Sequence, residues 1–437
     1  MTDTTLIADR MDNLGDETAF KVGDDIRRAE ENGLDVIRLN LGEPDFSSPE
    51  NINAVAIENI RMGNANYCDP QGIMPLRESI ARYVHKTRQV EIDPDQVVVT
   101  SGGKPPIGYS VLTYVNAGDE VIYPNPGFPI YESWIRYVNA VPRPLTLRED
   151  KNFRFDIEDL KPLISRKTKL IILNSPSNPT GGMLTQDDLD AIADLAARNA
   201  HPHFRILSDE VYEKIIFDSR EHISILSNPR VTEHTILMNS HSKTYAMTGW
   251  RIGYAVLPTI EEARLFRQWN INTCSCVPPF IQAAAQQAID DPANDTEVAQ
   301  MTQQFETRRD AVIQALNEIP GICCMTPGGA FYAFPNISGI CQALGILEHY
   351  ERLREQGLNP IQPASMFQLF LIYHHGVATV DRSSFGSLFC ENEHYIRLSL
   401  ASDLDTLEEG VRRIGAASSD TEGWAQFKQD YKDLICQ

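Results

Sequence analysis

Short apolar runs alternate with polar turns and helical segments between about residues 95 and 260. The runs cover residues 97–99, 121–123, 170–173, 206–207 and 235–238. Strands that alternate with helices are typical of βαβ units, whose strands lie parallel in one sheet. The sequence therefore predicts an α/β fold with a mostly parallel sheet.

The stretch 240–254 follows the last of these runs and leads into another apolar run at 254–257. It contains Lys243, and a lysine at the end of a buried strand loses its charge readily because desolvation favours the neutral amine. A neutral amine is a nucleophile toward an aldehyde. The hydroxyls of Ser240 and Ser242 and the guanidinium of Arg251 suit a phosphate. The residues therefore point to pyridoxal phosphate (PLP), with an exposed loop lysine as the alternative.

The same stretch resembles the cofactor-lysine segment of the class I/II aminotransferases, which are fold-type I PLP enzymes. It is most similar to the prokaryotic aspartate-aminotransferase-like subgroup, which has the pattern Ser-x-Ser-Lys-Thr-x-x-Met-x-Gly-Trp-Arg-x-Gly-Tyr at this place. The resemblance implies a large domain, with a mostly parallel seven-stranded sheet flanked by helices, and a smaller α+β domain.

The resemblance also sets the expected domain limits. Residues 1–46 should form the N-terminal arm and part of the small domain, residues 47–320 the large PLP-binding domain, and residues 321–437 the small C-terminal domain. A helix expected from Ala19 to Asn32 would be only marginally stable alone, so it should dock on the body of the protein or on a partner subunit. An extra helix, expected from Trp424 to Ile435, extends past the usual end of the family.

Further elements are expected between these ends. A helical stretch over 261–291 should break at 277–279, a second helix should cover 296–319, and a strand should cover 327–334. The breaks coincide with Pro and Gly, which interrupt regular structure.

A glycine turn follows the buried strand at 97–100. Gly102 and Gly103 let the backbone approach a ligand closely, and the N–H groups at the start of the next helix form an anion site. The resemblance implies that these glycines and Lys104 bind the cofactor. It also implies that Phe128, after Pro-Gly, stacks on the pyridine ring. A core position is the alternative for Phe128.

Two further motifs of the family concern the cofactor ring. Asn178 lies in the Asn-Pro-x-Gly motif and, with Tyr212, is expected to hydrogen-bond the phenolic oxygen of the cofactor. Asp209 lies at the carboxyl end of an apolar run, where parallel sheets bind ligands. By resemblance it pairs with the pyridine nitrogen and keeps the ring protonated.

The resemblance also assigns the substrate contacts. Gly42 would offer its backbone N–H to the substrate carboxylate, and Arg397 would bind the α-carboxylate through two parallel N–H donors. Asn178 belongs to the same substrate site. Tyr67 corresponds to a tyrosine that reaches the cofactor phosphate of the neighbouring subunit. We therefore expect a homodimer with shared active sites.

The expected activity is ping-pong transamination between an L-amino acid and a 2-oxo acid. Lys243 would hold PLP as a Schiff base and then move a proton from the substrate Cα, with Asp209 and Tyr212 as further catalytic residues. One alternative is another PLP-dependent reaction on the same fold, such as β-elimination, cyclisation or oxidation. A less favoured alternative is a non-catalytic PLP-binding sensor.

The charge and the cysteines limit the partners. With 39 basic and 60 acidic side chains, the formal net charge is −21 at pH 7, which disfavours nucleic acid and anionic membranes. The eight cysteines show no disulfide or zinc spacing, so no metal site is expected. Because no apolar leader or membrane-length run is visible, we expect a cytoplasmic protein.

Two segments depart from the family pattern and leave the amino donor and the 2-oxo acceptor open. Asp381-Arg382 stands where the family usually has Pro-Gly, before Phe385-Gly386. Arg382 is expected either to contact an acidic substrate side chain or to lie at the surface. Residues 272–275 lack the arginine that binds a second carboxylate in animal-type aspartate enzymes.

Overall fold

The computed structural model describes residues 6–16 and 18–436, which contain three sheets. In chain order the strands are β1 (Ile37–Arg38), β2 (Val97–Thr100), β3 (Glu120–Asn125), β4 (Val141–Thr146), β5 (Thr168–Asn174), β6 (Arg205–Asp209), β7 (Thr235–Ser240), β8 (Gly253–Val256), β9 (Tyr332–Ala333), β10 (Val377–Ala378), β11 (Val380–Asp381) and β12 (Ile396–Ser399). The helices are α1 (Thr18–Glu31), α2 (Glu50–Arg61), α3 (Met74–Arg88), α4 (Lys104–Tyr114), α5 (Ile130–Tyr137), α6 (Ile157–Leu160), α7 (Gln186–Asn199), α8 (His241–Thr244), α9 (Ile260–Thr273), α10 (Pro279–Asp290), α11 (Ala293–Asn317), α12 (Ser338–Ala343), α13 (Ile346–Glu355), α14 (Pro363–His375), α15 (Leu404–Ala417), α16 (Thr421–Asp430) and α17 (Lys432–Ile435). No helix among these described residues is both long enough and apolar enough to cross a membrane.

The largest sheet has seven strands in the order β2-β8-β7-β6-β5-β3-β4. Only β8 runs antiparallel to its neighbours, β2 and β7. The strands β2, β3, β7 and β8 are buried at every position, as expected for strands covered on both faces. The mostly parallel seven-stranded sheet predicted from the sequence is confirmed.

One edge of this sheet collects the polar ends of its strands. Because β3, β5, β6 and β7 run parallel, their carboxyl ends lie at the same edge. Those ends carry Asn125, Asn174, Asp209 and Ser240. Open α/β sheets bind ligands outside the carboxyl ends of their strands. The topology therefore places a candidate site at this edge.

The smaller sheets share a second hydrophobic core. The strands β11, β12 and β9 are antiparallel in that order, and β1 pairs with β10 in parallel. Val22 and Ile26 of α1 pack in this core together with side chains of α11 and α14. Tyr373 Oη of α14 also donates a 2.7 Å hydrogen bond to Asp25. The helix predicted near residues 19–32 is therefore confirmed and docks on its own chain, whereas the domain limits stay a prediction.

Two expected elements differ in length from the observed ones. The strand expected over 327–334 is limited to β9, because Ala330 has a φ of +58°, which extended backbone does not adopt. The helix expected over 424–435 is two helices, because Tyr431, with a φ of −120°, separates α16 from α17. The break expected at 277–279 is confirmed between α9 and α10.

The segment beyond α15 packs against α14. Trp424 and Phe427 are buried, and the ring centroid of Trp424 lies 5.7 Å from that of Phe370. Tyr431 stacks on Tyr373, with ring centroids 4.5 Å apart. The extra C-terminal helices therefore complete the second core.

We expect Trp424→Ala to lower the free energy of unfolding by about 3–5 kcal/mol, because it removes a buried ring and leaves a cavity. Denaturant unfolding would measure the loss. Gln426→Ala, on the exposed side of the same helix, is the control and should change stability by no more than about 0.5 kcal/mol. Equal stability of wild type and Trp424→Ala would show that the segment is not part of the core.

Candidate active site

A cavity of about 460 Å³ lies at the carboxyl edge of the seven-stranded sheet. Tyr332 and Arg397 of the smaller antiparallel sheet also line it. The residues predicted from the sequence that line this cavity are Gly42, Gly103, Lys104, Phe128, Asn178, Asp209, Tyr212, Ser240, Ser242, Lys243, Arg251 and Arg397. Gly102 adjoins the lining, and Tyr67 lies outside it. The fold thus brings nearly all of the predicted residues to one place.

Lys243 reaches the cavity from α8, the four-residue helix that directly follows β7. Ser240 caps this helix, because its Oγ atom accepts a 3.1 Å hydrogen bond from the Ser242 N–H. Lys243 Nζ donates a hydrogen bond to the carbonyl oxygen of Gly42. It also lies 5.7 Å from the ring centroid of Phe331. The end of a buried strand therefore places the amine in the cavity, as the sequence indicates.

Asp209 ends β6 and is buried. Tyr131 Oη donates a 2.6 Å hydrogen bond to its Oδ2 atom. Burial raises the pKa of Asp209 to about 7, although the hydrogen bond from Tyr131 favours the ionised form. A cation beside the carboxylate would lower this pKa again. The site therefore suits a protonated ring nitrogen.

Groups that suit an anion lie together at the amino end of α4. Gly102 has a φ of +86°, and a Cβ atom there would lie 2.2 Å from Arg251 Nη2, so only glycine lets the turn approach the guanidinium. Gly103 precedes α4, and the backbone N–H groups at this helix start come from Gly103 and Lys104, because Pro105 and Pro106 carry none. A Cβ atom on Gly103 would lie 3.6 Å from Ser240 Cβ, and Ser240 Oγ is 2.8 Å from Ser242 Oγ. Helix start, hydroxyls and guanidinium together fit a phosphate.

Arg397 is buried in the cavity wall. Its Nη1 atom donates a 2.9 Å hydrogen bond to Asn178 Oδ1, and its Nη2 atom donates a 2.6 Å hydrogen bond to the Asn40 carbonyl. The rings of Tyr332 and Phe385 have centroids 4.5 Å and 4.9 Å from its Cζ atom. Within the described residues its Nε atom has no hydrogen-bond partner. Neutral groups therefore fix the guanidinium and leave its charge available to a carboxylate.

Two tyrosines to which the sequence analysis gave no role shape the cavity. Tyr332 Oη lies 2.8 Å from Tyr212 Oη, and the Tyr131 ring packs edge-on against Phe128 with centroids 5.7 Å apart. Phe128 lies two residues before α5 and Tyr131 is the second residue of that helix, so their short separation in the sequence was a usable signal. Tyr332 gave no such signal, because its place depends on the pairing of β9 with β12.

Tyr67 lies apart from the cavity of its own chain, with 89% of its surface exposed. The role expected for it, contact with the cofactor phosphate, therefore requires a second subunit. This role stays a prediction.

Both expectations for Arg382 are wrong. Its side chain is 1% exposed, so it is not at the surface, and it does not line the cavity. It donates hydrogen bonds to Glu393 Oε2 at 2.6 Å and to Asn125 Oδ1 at 3.0 Å. The turn after β11 directs the side chain into the protein, where Glu393 neutralises its charge.

A buried charged cluster next to Asp209 in sequence was not found from the sequence. Glu210, Glu213 and His222 place their ligand-type atoms within 4.8 Å of one another. Arg88 Nη2 lies 2.6 Å from Glu210 Oε2 and also contacts Glu213. Burial alone would raise the pKa of Glu210, but Arg88 and His222 hold it well below its usual value. Because the guanidinium already supplies the positive charge, we assign this cluster a structural role.

Known proteins share this fold and are similar to this chain over most of its length. The sequence profile of the family "Aminotransferase class I and II" matches residues 34–414. A probable aspartate/prephenate aminotransferase from Aquifex aeolicus is 34% identical over 412 residues, which cover 94% of this chain and 98% of that protein. Aromatic-amino-acid aminotransferase 2 from Thermococcus litoralis is 34% identical over 382 residues, which cover 87% and 90% of the two chains. The crystal structure of the aspartate aminotransferase from Rhizobium meliloti matches with a TM-score of 0.83 at 29% identity and covers 94% of this chain and 98% of that one.

The fold and the site define a fold-type I enzyme that uses PLP. The chain belongs to the class I and II aminotransferases, and the family, cofactor and transaminase activity predicted from the sequence are confirmed. Its residues fit the cofactor, since a buried carboxyl group, an anion-binding helix start and a lysine amine line one cavity. The other PLP-dependent reactions and the non-catalytic sensor find no support in these relatives.

We expect the stability of the cofactor-free protein to depend on the ionisation of Asp209. Its pKa is about 7 in the folded state, against about 3.9 in an unfolded chain. Between these two pH values Asp209 is protonated in the folded state and ionised in the unfolded state. The contribution of this proton to the free energy of unfolding is therefore present at low pH and is lost as the pH rises through about 7. The stability advantage of Asp209→Asn over wild type should therefore grow from about pH 4 to about pH 7 and then level off near about 4 kcal/mol.

Denaturant unfolding of the cofactor-free proteins over this pH range measures the difference. The exposed Asp150→Asn is the control and should show no comparable growth with pH. A pH-independent difference between wild type and Asp209→Asn would contradict the raised pKa.

Proposed function

We propose that Lys243, Asp209, Asn178, Tyr212 and Arg397 form the catalytic centre of this aminotransferase. The observation that carries the proposal is that side chains far apart in the chain, from the seven-stranded and the three-stranded sheets and the loops beside them, line one cavity. PLP supplies an aldehyde that bonds to amines and a ring that accepts electrons. Lys243 Nζ binds the cofactor and moves the proton at the substrate Cα. Both roles require a neutral amine, which can act as a nucleophile and as a base.

The remaining roles follow from the surroundings of each group. Asp209 holds a negative charge for the ring nitrogen, and Tyr131 orients that carboxylate through its 2.6 Å hydrogen bond. Asn178 and Tyr212 bind the phenolic oxygen. The cradle for the phosphate and the ring is Gly102, Gly103, Lys104, Phe128, Ser240, Ser242 and Arg251.

For the substrate, we propose that Arg397 binds the α-carboxylate, with Asn178 and the Gly42 backbone beside it. Fixing the carboxylate orients the Cα–H bond toward the group that removes its proton, which lowers the entropic cost of reaction. The Aquifex relative is named for aspartate and prephenate, and the Thermococcus relative is named for aromatic amino acids. We therefore propose L-aspartate as the first amino donor to test and an aromatic amino acid as the second.

We also propose a homodimer in which Tyr67 completes the site of the neighbouring subunit. Tyr67 is highly exposed, and three further apolar side chains at or just after α2 are exposed as well: Ile57, Ile60 and Met62. Exposed apolar side chains that cluster on a surface are typical of a protein interface. A second copy of the chain that covers this surface would bring Tyr67 to the cavity.

Lys243→Ala should abolish transamination, with a loss of about a thousandfold or more, because no other group can replace the amine that moves the proton. A coupled assay with L-aspartate and 2-oxoglutarate measures the rate. Borohydride reduction of the wild type, followed by peptide mapping, should place the pyridoxyl group on Lys243. The exposed Lys167→Ala is the control and should keep wild-type activity. A pyridoxyl group on a different lysine would refute the assignment.

Subunit complementation tests the shared site. Lys243→Ala and Tyr67→Phe should each impair activity as pure homodimers. A mixed dimer contains one site with both side chains intact only if Tyr67 comes from the opposite subunit. Co-expressed variants should therefore be more active than either parent at the same chain concentration. If mixed dimers form but the activity does not rise above that of the parents, Tyr67 does not contribute to the site of the opposite subunit.

A further inference from the structure

The turn after β11 is held by a buried arginine and a buried aspartate. Asp381 accepts hydrogen bonds from the hydroxyls of Ser365, Ser383 and Ser384. Arg382 Nε donates a 2.6 Å hydrogen bond to Glu393, and its Nη2 atom donates a 3.0 Å hydrogen bond to Asn125 Oδ1. These two residues stand where the family usually has Pro-Gly. The side-chain hydrogen bonds that hold this turn therefore differ from the usual family pattern.

The same guanidinium also holds the backbone of the turn. Arg382 Nη1 lies 3.3 Å from the carbonyl oxygen of Phe385 and 3.1 Å from that of Gly386. The planar guanidinium directs its donors along several fixed directions at once, which a lysine ammonium on a flexible stem does not do. Arg382 therefore ties together both ends of the segment from Phe385 to Glu393.

Asn125 connects this segment to the large sheet. Its Nδ2 atom donates a 2.7 Å hydrogen bond to the Leu388 carbonyl, and the N–H of Gly127 donates a 2.9 Å hydrogen bond to the Phe385 carbonyl. Asn125 ends β3, three residues before Phe128. The backbone of Phe385 is thus fixed from two sides, by Arg382 and by the end of β3.

The position of the Phe385 backbone decides where its ring lies. The ring is buried, and its centroid is 4.9 Å from Cζ of Arg397. The ring centroid of Tyr332 is 4.5 Å from the same Cζ atom. An aromatic face next to a guanidinium stabilises the cation and limits the orientations it can adopt.

We infer that Arg382 is a positioning residue of the substrate-carboxylate site, where it holds the Phe385 ring against Arg397. This inference rests on the carboxylate-binding role proposed for Arg397. Arg382 does not touch the cavity, so it acts only through the turn. Its loss should weaken binding of the α-carboxylate and leave the cofactor contacts of the large sheet unchanged.

The test compares two donors that differ only in the α-carboxylate. If L-aspartate reacts, it is compared with β-alanine; if L-phenylalanine reacts, it is compared with 2-phenylethylamine. Both donors of a pair are measured by single-turnover absorbance on the holoenzyme. Arg382→Gln should raise the half-saturation concentration for the amino acid about tenfold, with a smaller effect on the limiting rate. The half-saturation concentration for the amine that lacks the α-carboxylate should not change.

Three further variants and a control separate positioning from loss of folding. Phe385→Leu should reproduce the selective effect, and the Arg382→Gln/Phe385→Leu double variant should be no worse than Phe385→Leu alone, because both changes remove the same contact. Arg382→Lys should restore little of the wild-type half-saturation concentration, because a lysine ammonium cannot donate to the same set of acceptors. The control is Arg205→Gln, which breaks a partly buried ion pair with Glu262 at the opposite end of β6 and should leave both donors unaffected.

The outcomes distinguish this inference from the proposed function. Arg397→Lys should also discriminate between the two donors. If it does and Arg382→Gln does not, or if Arg382→Gln weakens both donors equally, the positioning role is wrong and the proposed function stands. If Arg397→Lys affects both donors equally, the proposed carboxylate site is wrong, and the inference falls with it.

Discussion

The site depends on the parallel arrangement of β3, β5, β6 and β7. Parallel neighbours lie about 4.8 Å apart, so polar residues at their carboxyl ends come within hydrogen-bond reach of one another. Asn174, at the end of β5, donates a 3.1 Å hydrogen bond to the Asp209 carbonyl and accepts a 2.9 Å hydrogen bond from the Asn178 N–H. The strand ends thus orient one another, and the loop that carries Asn178 starts from a fixed point.

The same arrangement buries charged side chains near the strand ends. Some of these carboxylates have a charged partner, and others have only hydrogen-bond donors and burial around them. Asn239 Nδ2 donates a 2.6 Å hydrogen bond to Glu213, and Asn239 Oδ1 accepts one of 2.7 Å from the Ser240 N–H. Glu213 in turn pairs with Arg88, so a continuous buried network supports the residue that caps the lysine helix. Removing one partner of such a pair strands the other charge, at a cost of about 3–5 kcal/mol. Burial raises the pKa of Asp209 more than the hydrogen bonds from Tyr131 and Val211 lower it, whereas Arg88 and His222 outweigh burial at Glu210 and lower its pKa.

The cofactor side of the site could be predicted from the sequence, and the substrate side only in part. Asp209 and Lys243 follow apolar runs that are visible as strands, so their place at the sheet edge follows from the fold class. Tyr332 lies in a strand that the sequence predicted, but its place at the site depends on the pairing of β9 with β12. The inward direction of Arg382 is decided by its contact with Glu393. The role of Tyr67 involves a second subunit, and the cytoplasmic location involves a setting that one chain does not contain. Both stay predictions, as do the domain limits.

The two sides of the site also differ in how they depend on the rest of the molecule. The contacts that suit a phosphate come from residues 102–104 and 240–251, which belong to strand ends of a single sheet. Arg397 instead contacts Asn40, Asn178 and two rings, Tyr332 and Phe385, in segments that span most of the chain. Because packed elements shift as units, a change in the second core moves Arg397 relative to the sheet edge and leaves the phosphate contacts in place. Binding of the amino acid should therefore be more sensitive than binding of the cofactor to changes far from the cavity.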